Sequence, residues 1–255
     1  LKKMDSNFKE NVLIRDKKFN EFKNTKYKLS PVYNSKKEIG NYCNNYSSVL
    51  VGSDQLWLPS NIDANYYTLN FVPENINKIA YATSFGVSSL PKRQWSFANK
   101  FLNRINYVSV REEGGQNIIK QVAHREVPVV CDPTLLFTKD EWLNYFPNKR
   151  LYKDKYIFCY FLGNNPEQRA FADKVRNETG YKIVSLLHMD EYIKSDISFP
   201  DYAPYDIGPE EFVNLIRNAE LVLTDSFHGT VFSVLNGKKF FTFRRFKEGS
   251  KLSTN

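Results

Sequence analysis

Apolar and polar positions alternate along the chain with two periods, and their order predicts an α/β protein. Apolar runs of strand length fall at 49–51, 79–83, 107–110, 127–131, 156–162, 182–187, 221–224 and 239–243, each bounded by turn-forming residues. Between them lie segments at helical spacing. The stretch 91–105 puts Trp95, Ala98, Phe101, Leu102 and Ile105 on one side of a helix, and 166–179 does the same with Phe171, Ala172 and Val175 before Gly180 stops it. Further helices are predicted at about 114–121, after a cap at Thr138, and at 209–219, where Pro209, Glu210 and Glu211 favour a first turn. Residues 1–28 mix Phe8, Val12, Leu13, Ile14, Phe19 and Phe22 with lysines in a patchy helical period that Ser30-Pro31 ends, and 36–44 predicts a short helix. Strands alternating with helices mean mostly parallel sheets covered on both faces. A polar stretch at 146–150 separates two such series, which predicts two Rossmann-like domains, 1–148 and 149–255, facing each other across a cleft.

The chain's chemistry concentrates where apolar runs stop. Segment 221–235 reads as strand, tight turn and helix, with Asp225 or Ser226 as cap and Gly229 allowing close approach to a ligand. His228 then lies beside an anion cradle formed by Ser226, Gly229 and Thr230, a proton donor next to a site for negative charge. The plainer alternative is a histidine bonded to a neighbouring loop. Other strands end at Ser53 and Asp54, at Ser84 and Gly86, at Arg111 and at Asp132, and in open parallel sheets such ends form the ligand rim. Arg111 suits a carboxylate or phosphate, or else an internal ion pair with Glu112, Glu113 or Asp132. Asp54 and Asp225 are base candidates. Trp57 and the loop residues Tyr192, Tyr202 and Tyr205 are either stacking platforms for a ligand ring or core. Arg244 and Arg245 follow the last strand and either add charge to the site or lie exposed.

Charge and composition narrow the partners. The formal charge of +8 over 255 residues is spread in dispersed pairs such as Lys17-Lys18 and Lys36-Lys37, which points to an anionic small substrate or an acidic membrane surface rather than nucleic acid. Cys43, Cys131 and Cys159 form no C-x-x-C pair, so buried thiols in a reducing, cytoplasmic compartment are expected. No apolar run approaches the ~18 residues of a membrane span, and no signal peptide opens the chain. His124, His188 and His228 share no metal-ligand spacing, so no metal site is expected.

Five stretches together resemble the polysaccharide pyruvyl transferase family. They are Val51-Gly52-Ser53-Asp54-Gln55-Leu56-Trp57, Ala80-Tyr81-Ala82-Thr83-Ser84-Phe85-Gly86, Val108-Ser109-Val110-Arg111-Glu112, Cys131-Asp132-Pro133-Thr134-Leu135-Leu136 and Thr224-Asp225-Ser226-Phe227-His228-Gly229, in the family's order. The resemblance implies a glycosyltransferase-B-like enzyme that moves pyruvate from phosphoenolpyruvate onto two hydroxyls of a sugar as a ketal and releases phosphate. It implies His228 as general acid and Arg111 as donor-holding cation, with no cofactor besides the donor substrate. The acceptor would be a cell-surface polysaccharide or its precursor, in some cases lipid-linked, with peripheral membrane association. The family's opening strand and its glycine- and asparagine-containing loop have no counterpart in 1–28, and a final helix would lie past 255, so terminal pieces are expected to be missing. Two other classes compete, a nucleotide-sugar glycosyltransferase and a non-catalytic glycan-binding relic.

Overall fold

The structure, a computed structural model, describes residues 8–189, 193–196 and 198–245. Within them the chain forms two compact units, one from 31–136 and one from 8–30 together with 137–245. Helix α1 (Phe8–Lys26) therefore belongs with the second unit, not with the first half of the chain as the linker at 146–150 suggested. Its contacts give the reason. Lys18 pairs with Glu211, Phe22 packs on Phe146 at 6.1 Å between ring centroids, and Lys26 lies over the Tyr145 ring. The end of the predicted first domain moves for a similar reason: Trp142 and Phe146 join the second unit's core, with Trp142 edge-on to Phe232 at 5.2 Å.

The unit 31–136 holds α2 (Lys36–Cys43), β1 (Ser48–Val51), α3 (Pro59–Ala64), β2 (Asn77–Thr83), α4 (Trp95–Arg104), β3 (Tyr107–Val110) and α5 (Glu113–Ala123). The strands form a parallel sheet in the order β1-β2-β3. In α4 the buried residues Ala98, Phe101 and Leu102 follow helical spacing, and in α5 Ile118, Ile119 and Val122 do, so each helix lays one apolar stripe on the core. The strand predicted at 127–131 is reduced to a parallel bridge between Val110 and Val129. Pro128 sits inside that run without an N–H to give to a ladder, and its carbonyl alone accepts from Val110 N.

The second unit holds α6 (Lys139–Tyr145), β4 (Tyr156–Tyr160), α7 (Pro166–Thr179), β5 (Lys182–Ser185), α8 (Pro209–Asn218), β6 (Leu221–Thr224), α9 (Phe227–Leu235) and β7 (Phe240–Thr242). Its sheet is wholly parallel in the order β5-β4-β6-β7. Central β4 is buried on both faces, which is why it reads as an unbroken apolar run in the sequence. From β4 the chain crosses outward to β5, then returns to the other side of β4 for β6. The strand order reverses there, and open α/β sheets place their ligands at that reversal, outside the carboxyl ends of the strands.

Candidate active site

At the reversal point of the second unit, β6 runs directly into α9. Thr224 ends the strand with Oγ1 donating to the Tyr160 carbonyl at 2.7 Å and accepting from Ser226 N at 3.0 Å, so one hydroxyl ties the ends of β4 and β6 together. Ser226 is the helix cap: its Oγ accepts from Gly229 N at 3.3 Å, and its carbonyl accepts from the Thr230 amide and hydroxyl, both at 3.0 Å. Asp225, its side chain fully buried, instead accepts from Leu162 N at 2.6 Å and from Gly163 N at 2.9 Å. Arg245 approaches the same aspartate, Nη2 donating to its carbonyl at 3.3 Å and Nε lying 4.0 Å from its carboxylate. A Cβ at residue 163 would meet Asp225 Oδ2 at 2.9 Å and Arg245 Cγ at 3.2 Å, so glycine is what lets carboxylate and guanidinium close over this turn. His228 occupies the first turn of α9, half-buried, with its ring edge-on to Phe227 at 5.1 Å between centroids. Around Asp225, then, one strand end gathers an imidazole and a guanidinium at a helix N-terminus, a set suited to giving a proton beside an anion.

On the unit 31–136 the strand ends converge on Arg111, whose side chain is only 4% exposed. Its Nη1 lies 2.8 Å from Asp132 Oδ2, its Nη2 3.1 Å from Asp54 Oδ1, and its Nε 3.8 Å from Glu112 Oε2. Asp132 is buried and also accepts from Ser53 Oγ at 2.8 Å and from Thr134 N and Oγ1 at 3.1 and 2.8 Å. Asp54, with a side chain 61% exposed, is the open side of the cluster, and its φ of 74° is a left-handed conformation that aspartate tolerates. Burial pushes the Glu112 carboxyl above its ordinary value of 4.5, against hydrogen bonds from the Ser84 hydroxyl and Phe85 N–H and the charge of Arg111. Glu112 is thus the carboxyl of this rim best placed to carry a proton.

The sequence model of the polysaccharide pyruvyl transferase family matches residues 2–245, nearly the whole chain. The protein belongs to the polysaccharide pyruvyl transferase family. Among proteins of curated function none matches its sequence. Its fold is similar to the UDP-GlcNAc 2-epimerase of Methanocaldococcus jannaschii, at 15% identity and a TM-score of 0.52, over 84% of this chain and 65% of that one. It is similar to a putative UDP-N-acetylglucosamine 2-epimerase of Listeria monocytogenes, at 14% identity and a TM-score of 0.51, over 82% of this chain and 59% of that one. The chain spans less than two thirds of both structures, and at such identities the likeness bears on the fold alone: parallel, Rossmann-like and of the glycosyltransferase-B kind.

Against the expectations for a pyruvyl transferase of this family, several residues change role. Trp57 is fully buried, donates Nε1–H to the Tyr67 carbonyl at 3.0 Å and packs on Phe85 and Phe101, so it is core and no sugar platform. Ser84 is likewise buried, its hydroxyl accepting from Gly86 N at 3.1 Å and bonded to Glu112, while a Cβ on Gly86 would meet Gln55 and Leu58 at 2.9 Å; these two residues shape the turn. The amides of Gly229 and Thr230, expected to cradle an anion, are spent on Ser226 within the cap. Gly229 is required instead by Thr224, whose Oγ1 would lie 2.5 Å from an added Cβ. Asp225 is neither the cap nor an available base, because the 162–163 turn holds both of its oxygens. Arg111 is engaged by acids, the internal pairing that its sequence position also allowed.

Tyr202 stacks on Tyr152 and donates to Asp154, both ahead of β4 and so at the opposite end of the sheet from the reversal point. Tyr192 lies outside the described residues, and Tyr205 is half-buried. Cys131 is exposed, unlike the buried Cys43 and Cys159. Among the described residues no helix is long and apolar enough to cross a membrane. Glu112 and Arg245 are the site groups that sequence reasoning undervalued. The signals were present, an acid directly after Arg111 and an arginine directly past the last strand.

Proposed function

We propose that this chain transfers pyruvate from phosphoenolpyruvate to two hydroxyls of one sugar in a polysaccharide or its lipid-linked precursor, at the cytoplasmic side where that donor is found. The observation that carries the reading is His228 on the first turn of α9 at the sheet's reversal point, with Arg245 at the same corner, in a member of this family. In the proposed reaction the His228 imidazolium gives its proton to the donor's methylene carbon, which leaves C2 electrophilic. One sugar hydroxyl adds at C2, and the C2–O bond to phosphate then breaks with its electron pair on the phosphate. The second hydroxyl adds and closes the ketal. Of the two hydroxyl protons, one restores the imidazolium and the other leaves with phosphate.

Arg245 offsets the charge that grows on the leaving group. Incubation of the chain with phosphoenolpyruvate and a panel of lipid-linked hexose oligosaccharides tests the reading. Phosphate release together with a new acid-labile ketal methyl signal by NMR is expected. Nucleotide release from a nucleotide sugar in the parallel assay would assign glycosyl transfer instead, and sugar binding without release from any donor would assign a binding protein.

A further inference from the structure

The turn at 162–165 is held from two directions. Its amides go to Asp225, and its carbonyls go to Arg169, whose Nη1 donates to Gly163 O at 2.9 Å and to Asn165 O at 3.1 Å. The other edge of the same guanidinium meets a single oxygen, Asp196 Oδ1, with Nε at 2.9 Å and Nη2 at 2.8 Å, and its plane lies 5.1 Å from the centre of the Phe161 ring. Asp196 Oδ2 is 3.0 Å from His188 Nδ1. These three side chains are only 4%, 10% and 8% exposed, and the Leu162 backbone, at the start of the same turn, lies within hydrogen-bonding reach of the His188 ring. A buried ion pair gains little over apolar residues of equal volume, but a guanidinium fork fixes direction. Here it fixes the backbone that Asp225 grips from the other edge, one residue before the cap of α9.

We propose that Arg169 is a positioning residue for the 162–165 turn of the candidate active site, oriented by Asp196, and that His188 sets how tightly Asp196 holds it. The catalytic consequence rests on the transfer reaction proposed above; the structural coupling does not. Burial works against the charge of Asp196, but His188 and Arg169 hold its carboxyl below the ordinary 3.8. Cys159, facing Arg169 from β4, is pushed well up by burial and stays neutral. Among the described residues of this cluster, His188 is the one whose ordinary value lies near neutral pH. Its hydrogen bond to Asp196 raises it above 6.5 against burial, the Leu162 backbone adds to the rise, and Arg169 opposes it. A protonated ring makes Asp196 serve two cations; a neutral ring leaves its charge to Arg169.

The test follows amide resonances of the intact 15N-labelled chain through the histidine titration range. With only His124, His188 and His228 in the sequence, the ring signals are assignable. The Gly163 amide is expected to inflect at the pH where His188 titrates and to lose that inflection in His188→Gln, which keeps a hydrogen bond to Asp196 without the charge. A flat Gly163 amide in the wild type, or an inflection that survives in His188→Gln, overturns the proposal. In phosphate-release assays Asp196→Asn is expected to lower kcat by about tenfold to a hundredfold with KM little changed, the cost of a misplaced catalytic frame. His188→Gln is expected to remove one limb of the pH profile of kcat. If Asp196→Asn fails to fold, His188→Gln decides alone. If the wild type releases no phosphate with any acceptor, the transfer reaction fails while the Gly163 titration still decides the coupling.

Discussion

His228 takes its assigned role from where it sits, since its sequence neighbours are ordinary cap and helix residues. Because its ring is half-buried in the first turn of α9, the chain should tolerate its loss structurally. His228→Ala is expected to lower the rate of phosphate release by about 10²–10⁴ with an unchanged thermal midpoint, checked by initial rates and calorimetry. Glu112 offers a second test at this scale. Its folded-state value lies above 4.5, so its contribution to stability is complete below that pH and is lost as pH rises through the raised value. Glu112→Gln, which keeps the shape without the charge, should therefore gain stability relative to the wild type across that window, measured by urea unfolding at stepped pH. The sequence puts Asp54, Arg111 and Asp132 at or beyond the ends of apolar runs but could not rank the residues there. Trp57 and Ser84 occur in the same motifs as Asp54 and Arg111, and nothing in their identity says which way the side chain turns. Likewise His188 reads as an isolated histidine until Asp196, eight positions on, folds back against it.

Among the elements, most strands and helices were legible because each buries a face whose spacing shows in the sequence: period 3.6 in α4, α5 and α8, and an unbroken apolar run in β4. Where that signal fails, so does the reading. Helix α3 is six residues long, starts at Pro59 and buries only Ile62, too little for a period. The run 127–131 has a strand's composition, yet Pro128 removes the donor that a ladder needs. Helix α9 depends on Ser226, which holds the Gly229 amide and, through its carbonyl, Thr230. Ser226→Ala should cost about 0.5–2 kcal/mol in denaturant unfolding, the usual loss for a missing cap, and should lower phosphate release as well because His228 rides on the same turn.

For the whole molecule, the division of the chain matters more than the number of units. Residues 31–136 carry their own sheet and core, from Trp57 and Phe85 to Phe101 and Ile119, while the other unit is assembled from segments on either side of them in sequence. Expressed alone, 31–136 is expected to unfold in one cooperative transition, with amide dispersion typical of a packed domain. The linker at 146–150 concealed this arrangement, because turn-forming residues mark where chain direction changes and carry no record of which core the flanking aromatics enter. The arrangement also sets an order of events during synthesis. Helix α1 leaves the ribosome before the segments it packs against: Phe146 and Glu211 are made more than a hundred residues later. With no fully buried residue of its own, α1 must wait as a marginal helix while the intervening unit folds, and becomes secure only when the closing segment arrives.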